Sequence, residues 1–190
     1  SNKSSGKQGY EIAKSLSENG FDTTLISGPT NLNINKNIKL IKVETADEML
    51  EATLNNLPTD VAVFSAAVAD FKIKNKKKEK IKKENITELS LEKNIDILNH
   101  ISNHNSLRPK LVIGFAAETN SLKTNSLKKL SEKNCDWIIA NDISKKDSGF
   151  ESDFNKISIF YKNKTEEIFP KMKKSKLASE IVNRIISQLN

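Results

Sequence analysis

The hydrophobic residues of this chain follow two periods, one typical of helices and one typical of strands. Near the start, apolar positions three and four residues apart predict a helix, with Ser4 and Ser5 as candidate N-caps and Gly20 as the residue that ends it. Further on, Thr45 and Glu48 stand three apart before a second amphipathic run, a capping box that predicts a helix to about residue 57. We therefore expect helices with well-marked ends.

Short apolar runs lie between the helical runs. They predict strands at 21–27, 38–43, 61–69, 86–94, 111–117 and 136–140, helices at 95–103 and 121–133, a β-hairpin at 156–170 turning near Asn163, and a last helix carrying Leu177, Ile181, Ile185 and Leu189. The run at 61–69 is almost continuously apolar, which predicts a strand covered on both faces. The alternation predicts an α/β fold: a Rossmann-like open, mostly parallel sheet with helices on both faces, plus a C-terminal β-hairpin and helix.

Three of the apolar runs end in polar residues. Asp70 follows the first, Glu118 and Thr119 follow the second, and Asn141 and Asp142 follow the third. Because the carboxyl ends of parallel strands share one edge of a sheet, we expect these residues to form the rim of a ligand-binding crevice.

Length and composition narrow the class of protein. The 190 residues suit a single domain, residues 1–190, with enough chain to bury a core. The one cysteine, Cys135, excludes a disulfide framework and favours a reducing compartment, so we expect a cytoplasmic protein. No apolar run approaches the roughly 18 residues of a membrane span.

The positive charge is concentrated in one segment. Eight lysines and one glutamate lie within 72–83, and their net charge equals the +7 of the whole chain, so the remainder sums to zero. A local anion site is favoured over a broadly basic nucleic-acid surface, where charge spreads along one face. A solvated lysine-rich loop is the alternative.

Several motifs together resemble one family. They are SNKSSGKQG at the start, SGPT, TADEM, SAAVADF, EKIKK, GFAAET, IIAND and GFESDFNKI, in this order and nearly end to end. This combination is similar to the phosphopantothenoylcysteine synthetases of coenzyme A biosynthesis, bacterial type. In bacteria such a synthetase is commonly the carboxy-terminal half of a bifunctional protein, fused to an upstream flavin-dependent decarboxylase.

The resemblance implies a phosphopantothenate–cysteine ligase. In that family the carboxylate of 4′-phosphopantothenate attacks the α-phosphate of CTP, which gives an acyl-cytidylate and pyrophosphate, and the amine of L-cysteine then displaces CMP. The resemblance also implies Mg²⁺ carried by the nucleotide rather than by protein side chains, no flavin in this segment, and a homodimer with the hairpin as a candidate interface. Neither nucleic acid nor a membrane is an expected partner.

The resemblance also assigns candidate site residues. Asn2 and Lys80 match the catalytic positions, the first acting on the acyl-cytidylate and the second on a flap that closes over it. The nucleotide-binding positions are Phe64, Ser65, Ala66, Asp70, Lys80, Asn94, Ile95, Asp96, Ile97, Phe115, Lys129 and Lys133. The positions for the substrate phosphate or carboxylate are Ser4, Ser5, Gly6, Lys7, Ala67, Asn141 and Asp142. Ile95 stands where the family has proline, which leaves the turn there open.

One departure concerns the start of the domain. The family has a strand and an arginine-bearing substrate loop before the position of Ser1. We expect the sheet formed by residues 1–190 to lack that first strand and that loop.

Two alternative functions use other features of the chain. The 72–83 segment would suit a nucleic-acid-binding module, although aromatic residues are not interleaved with the lysines. The YEIAK run at 10–14 fits a dehydrogenase pattern, although no G-x-G-x-x-G accompanies it. His100 and His104 stand four apart without a third ligand nearby, and Cys135 is interpreted as a small apolar core residue.

Overall fold

The structure is a computed structural model that describes residues 5–74, 90–118, 120–142 and 152–190, the side chain of Asp142 excepted. Helices and strands follow one another in this order: α1 (Lys7–Glu18), β1 (Thr24–Ser27), β2 (Lys39–Lys42), α2 (Ala46–Leu54), β3 (Val61–Phe64), β4 (Phe71–Ile73), β5 (Leu91–Lys93), α3 (Ile97–Ser102), β6 (Leu111–Glu118), α4 (Leu122–Glu132), β7 (Trp137–Asp142), β8 (Phe154–Tyr161), β9 (Glu166–Lys173) and α5 (Lys174–Leu189).

The main sheet has five strands in the order β3-β6-β7-β8-β9. The first three are parallel, and β8 and β9 are antiparallel additions that form the C-terminal hairpin before α5. The predicted α/β class, hairpin and last helix are confirmed. Within the described residues the sheet is less continuous than predicted, since β1 and β2 form a separate parallel ladder and β4 and β5 a separate antiparallel ribbon.

The main sheet is covered on both faces. On one face, which we call the α5 face, Leu111, Ile113 and Ile139 pack with Ile12 of α1 and Ile181 of α5. The opposite face, which we call the α4 face, packs residues of β6, β7 and β8 against α3 and α4. Its buried residues are Val112, Ala116, Leu130, Cys135, Ile138, Ala140 and Phe160.

The N-cap predicted from the sequence is confirmed for α2 and wrong for α1. Thr45 Oγ1 accepts the N–H of Glu48 at 3.2 Å, as the capping box predicts, and Glu48 Oε2 accepts the N–H of Glu44 at 2.7 Å. The predicted serine caps of α1 are wrong, because Gly6 is the N-cap and adopts a left-handed conformation with φ 72°. The helix α2 ends at Leu54, short of the predicted residue 57, because the residue before a proline disfavours helical geometry and Pro58 follows Leu57.

The apolar run 61–69 forms a shorter strand than predicted. Only Val61–Phe64 is a strand, and all four of its residues are half-buried rather than covered on both faces. The physical reason is its position: within the described residues β3 pairs with β6 alone, so it is an edge strand of the main sheet. The remaining apolar residues of the run form the loop that leaves the strand end.

Candidate active site

The carboxyl ends of β3, β6 and β7 lie at one edge of the main sheet, because the three strands are parallel neighbours. Phe64, the last residue of β3, pairs with Gly114, and β6 continues four residues further to Glu118, which pairs with Asp142 of β7. The structure therefore places the ends of β6 and β7 side by side, with Glu118 paired to Asp142, whereas Asp70 follows six residues after the end of β3. We call this edge of the main sheet the strand-end edge, and it is where ligands bind in open α/β sheets.

The start of α1 lies against the end of β3. A Cβ added to Gly9 would lie 2.6 Å from Ser65 Oγ, so the helix approaches the strand end as closely as glycine permits. A side chain on Gly6 would meet Thr30 Cγ2 at 3.0 Å and would also be strained by the positive φ. The first N–H groups of α1 receive no side-chain cap from the described residues. A helix start of this kind is suited to an anion.

Two lysines and one aspartate adjoin this helix start. Lys7 Nζ donates to Asp153 Oδ1 at 2.6 Å, and this hydrogen bond lowers the pKa of Asp153. Lys174, the first residue of α5, is 7% exposed, and its pKa is lowered first by burial and then by the charge of Lys7. Gln8 Nε2 donates to the backbone carbonyl of Lys174 at 3.4 Å, which ties α1 to α5. The local charge is therefore positive, with Lys7 partly neutralised. Ser5, half-buried, directly precedes the cap.

Asn94 joins two of the predicted nucleotide segments. Its Nδ2 donates to the carbonyl of Ala69 at 2.7 Å, and its backbone N–H donates to the carbonyl of Asp70 at 2.8 Å. Asp70 itself is exposed at this position, and Ala66 is exposed beyond the end of β3. Asn94 Oδ1 is buried and has no hydrogen-bond partner among the described residues, so it is an acceptor that a ligand could use.

Asp96 and Lys133 form the first of two ion pairs beside this segment. Asp96 Oδ1 caps α3 by accepting the N–H of Asn99 at 3.0 Å, and its Oδ2 accepts from Lys133 Nζ. A helix therefore begins correctly here although Ile95, which is 50% exposed, stands at the family's proline position. Ile97 is 5% exposed, so its side chain belongs to the core and only its backbone is available to a ligand.

Glu118 and Lys129 form the second ion pair. Glu118 ends β6 on the α4 face, and its side chain is only 11% exposed. Its Oε1 accepts from Lys129 Nζ at 2.7 Å, and its Oε2 accepts from Asn125 Nδ2 at 3.0 Å. Asn125 and Lys129 are four residues apart, so α4 presents both to the same carboxylate.

Phe115 does not lie beside these lysines. Alternation along β6 directs its side chain to the α5 face, where it packs against the cluster containing Ile113 and Ile181. Asn141 of β7 is also on that face, and its Oδ1 is buried without a hydrogen-bond partner among the described residues. Phe64 packs on the α4 face, and Ala67 is half-buried in the loop that follows β3.

Several predicted residues lie outside the described residues. They are Asn2, Ser4 and Lys80, together with the side chain of Asp142 and most of the segment 72–83. Within that segment the structure corrects one expectation: Lys72 is not an uncompensated charge. It lies in β4 with its Nζ 2.7 Å from Asp47 Oδ2 and 3.8 Å from Glu92 Oε1, and the hydrogen bond to Asp47 raises its pKa.

Three residues that the structure adds to the candidate site were not identified from the sequence. They are Asn125, Lys174 and, as the partner of a lysine, Glu118. The spacing of Asn125 and Lys129 on one helix face was a usable signal, since a strand-end glutamate preceded it. No comparable signal singled out Lys174, because Lys173 and Lys176 lie beside it in a lysine-rich stretch.

A cavity of about 530 Å³ lies on the neighbouring ladder, at the ends of β1 and β2. Its lining includes Tyr10, Thr30 and Lys42 and none of the predicted site residues. Tyr10 is buried, and its hydroxyl contacts Ser27 Oγ at 3.1 Å and Thr30 Oγ1 at 2.9 Å, so it is a packing residue with satisfied hydrogen bonds. Tyr10 of the YEIAK run therefore has a structural role in the described residues.

The remaining candidate groups have structural roles. Cys135 is fully buried, and burial raises its pKa to about 11, as suits a small core residue. His104 Nδ1 accepts the N–H of Leu107 at 3.1 Å. Across the described parts of the chain, no group of three or more His, Cys, Asp or Glu side chains is placed to hold a metal ion. In the same residues, no helix is both long enough and apolar enough to cross a membrane.

The arrangement of helices and strands defines an α/β domain of the Rossmann-like class. The family model for the DNA/pantothenate metabolism flavoprotein C-terminal domain matches residues 1–189. The chain belongs to this family.

Named relatives support the assignment. The chain is 38% identical over 191 residues to the coenzyme A biosynthesis bifunctional protein CoaBC of Haemophilus influenzae, covering 99% of this chain and 47% of that protein. It is 41% identical over 186 residues to the CoaBC of Borreliella burgdorferi, and the match covers 96% of this chain and 46% of that protein. A crystal structure of the C-terminal domain of a CoaBC superposes with a TM-score of 0.80 at 34% identity. The superposition covers 99% of this chain and 85% of that chain. The chain thus spans about half the length of these two curated relatives.

Proposed function

We propose that this chain is the ligase part of a bifunctional enzyme, joining 4′-phosphopantothenate to L-cysteine in coenzyme A biosynthesis. Family membership and the names of the relatives support the pathway. The structural observation that carries the proposal is that lysines lie on both sides of the sheet near its strand ends: Lys7, bonded to Asp153 at the α1 start, and Lys129, bonded to Glu118 at the end of β6. The first step of the reaction brings together two anions, 4′-phosphopantothenate and CTP, and lysines on both sides would reduce their repulsion.

In this proposal each of the two sides binds one of the reactants of the first step. The start of α1, with Gly6, Lys7 and Asn141 of the α5 face, binds the phosphate or carboxylate of 4′-phosphopantothenate. The nucleotide lies across Ser65, Asp70 and Asn94 toward the lysines of the α4 face. The reacting carboxylate and the α-phosphate of the nucleotide then meet above the carboxyl ends of β3 and β6.

The proposed reaction is a two-step acyl transfer. The substrate carboxylate attacks the α-phosphate of CTP and pyrophosphate leaves, and the cysteine amine then attacks the acyl carbon and releases CMP. Asn2 is proposed to hydrogen-bond the acyl-cytidylate and Lys80 to donate to the oxygen that gains charge as cysteine attacks; both lie outside the described residues. Mg²⁺ would be carried by the triphosphate, where it neutralises phosphate charge. The described side chains that would share this task are Lys129 and Lys133.

The direct test measures pyrophosphate release with CTP and with ATP, each with and without 4′-phosphopantothenate. We expect release that depends on both CTP and 4′-phosphopantothenate. Equal or faster release with ATP would contradict the nucleotide assignment, and release without the pantothenate substrate would contradict the reaction.

A binding test locates the nucleotide. Asp70 is exposed in the segment that follows β3, and its carbonyl accepts the N–H of Asn94, so Asp70→Ala should weaken CTP binding and leave the melting temperature unchanged. Asp60→Ala is the matched control, because Asp60 is also exposed but lies at the opposite end of β3, where it pairs with Lys110. Equal losses of CTP affinity in the two variants would show that the nucleotide does not bind beside Asp70.

We also propose that the protein is a homodimer. The β4–β5 ribbon carries three exposed apolar residues on one face, Phe71 at 53%, Ile73 at 42% and Leu91 at 60% exposure. The C-terminal hairpin, the interface expected from the sequence, exposes Ile168 at 63% and Phe154 at 42%. Light scattering after chromatography, applied to Leu91→Ser and Ile168→Ser, separates the two surfaces, since the variant at the interface should elute as a monomer. If the unaltered protein is itself monomeric, the dimer proposal fails.

We further propose that the family's first strand lies between the β1–β2 ladder and β3. The helix α1 spans this interval, since Tyr10 contacts Ser27 of β1 while Gly9 lies against Ser65 after β3. Extending the chain upstream with the corresponding segment of a relative should raise the melting temperature. An unchanged melting temperature would count against this placement.

A further inference from the structure

We infer that Glu118 is a positioning residue that holds the Lys129 ammonium group at the strand-end edge for the phosphates of the nucleotide. This inference rests on the proposed function. Its structural basis is the carboxylate of Glu118, which is bonded through both oxygens to two residues of the same helix, Asn125 and Lys129.

Burial distinguishes this pair from an exposed ion pair within the same helix, Lys128–Glu132. The Glu118 side chain is 11% exposed, whereas Lys128 and Glu132 form a pair at 3.8 Å with 70% and 56% exposure. A carboxylate removed from water needs charged or hydrogen-bonding partners, so Glu118 has a strong preference for keeping both of its bonds. An exposed pair such as Lys128–Glu132 contributes little.

Lys129 remains able to bind a second anion. Its side chain is 42% exposed, and an ammonium group has three hydrogens, of which one is used at 2.7 Å by Glu118. A free lysine side chain loses rotamer freedom when it binds a ligand, and the Glu118 bond has already removed that freedom. A lysine anchored by a glutamate in this way is how kinases hold the lysine that binds nucleotide phosphates.

Asn125 completes the arrangement by fixing Glu118. Its Nδ2 donates to Glu118 Oε2 at 3.0 Å and to the carbonyl of Asn120 at 3.1 Å, which joins α4 to the loop that precedes it. The carboxylate therefore presents Oε1 to Lys129 in a set direction. Anchoring of this kind acts on the triphosphate and not on the base.

The test is a double-mutant cycle on nucleotide binding. Dissociation constants for CTP with Mg²⁺, for ATP with Mg²⁺ and for CMP are measured by calorimetry on the unaltered protein, Glu118→Gln, Lys129→Met and the double variant. Because a hydrogen bond to a charged group contributes a factor of about ten, Glu118→Gln should weaken CTP binding about tenfold. Binding of CMP, which lacks the β- and γ-phosphates, should change much less. The double variant should bind no more weakly than Lys129→Met alone.

Glu132→Gln is the matched control and should leave all three constants unchanged, because it removes the exposed partner of Lys128 one turn away. Tighter CTP binding by Glu118→Gln would overturn the inference, since Glu118 would then compete with the phosphates. Additive losses in the double variant, or equal losses for CTP and CMP, would also overturn it in favour of a structural role. If the unaltered protein binds neither triphosphate, the proposed function fails and the inference fails with it.

Discussion

The two faces of the main sheet differ in the size and composition of their buried clusters. Among the described residues, the cluster on the α5 face contains thirteen buried residues, including the large aliphatic side chains of Ile181 and Ile185 on α5. The cluster on the α4 face contains seven, among them Ala116, Ala140 and Cys135. On the α4 face, Asn125 and Lys129 of α4 reach the carboxylate of Glu118 at the end of β6. The α5 face therefore carries the larger described cluster, and the α4 face carries the buried anchor of Lys129.

The largest expected effect concerns the α5 face. Ile181 is fully buried in its cluster, so Ile181→Ala should lower the free energy of unfolding by about 2–5 kcal/mol. Leu189→Ala should lower the free energy of unfolding much less, because Leu189 is on the same helix but is 37% exposed. Urea denaturation measures both. Similar losses in the two variants would show that α5 is not packed as described.

Gly114 tests the α4 face, where the helix layer is close. A Cβ at this position would lie 2.6 Å from Leu98 Cδ2 and 2.9 Å from Ile138 Cδ1. Gly114→Ala should therefore cost about 1–3 kcal/mol by overpacking. It should also weaken CTP binding, because Leu98 belongs to α3, which Asp96 caps.

The control for this prediction is Gly28→Ala, where an added Cβ meets nothing within 4 Å. Unfolding curves and CTP titrations are compared for the two variants. If Gly114→Ala loses stability but binds CTP normally, the packing of the α4 face is not coupled to the site.

A smaller effect is expected on the hairpin that extends the sheet. Arg184 of α5 donates to Glu167 at 2.6 Å, and Tyr161 also donates to it at 2.8 Å. These bonds, that of Arg184 first, lower the pKa of Glu167. Because the folded-state pKa is depressed, the stabilisation is present above the ordinary value of 4.5 and is lost as the pH falls through the folded-state value.

Glu167→Gln should therefore reduce the free energy of unfolding by up to about 1 kcal/mol at pH 7, because the side chains of Arg184 and Glu167 are 31% and 36% exposed and solvent screens the pair. The difference from the unaltered protein should shrink as the pH falls below 4.5. Thermal melts from about pH 3 to about pH 7 check this prediction, because carboxyl groups titrate within that range. A difference that stays constant across that range would show that charge is not responsible.

The smallest effect is expected at Cys135. Burial raises the pKa of its thiol to about 11, so almost no thiolate exists in the folded protein near neutral pH. Iodoacetamide should not label the native protein, and it should label the protein unfolded in urea. Rapid labelling under native conditions would show that the α4 face opens frequently.

Much of the fold could be predicted from local patterns. The capping box at Thr45 and Glu48, the apolar strands β6 and β7, and the i, i+4 pattern of α5 each depend on neighbours a few residues apart. The strand-end edge was also predictable, because parallel strands place their carboxyl ends together. The errors came where a distant contact overrode the local signal, as at Gly6, which caps α1 next to Thr30.

The sequence by itself determined the class of the domain and the residue types at the ends of its parallel strands, since periodicity and motif order are local properties. Only the tertiary structure decided which charges meet. Lys72 pairs with Asp47, and Lys129 pairs with Glu118. It also decided that Phe115 lies on the face of the main sheet opposite Lys129. The physical reason is that an ion pair needs its atoms within about 4 Å, and only the packing of helices against the sheet brings such distant parts of the chain that close.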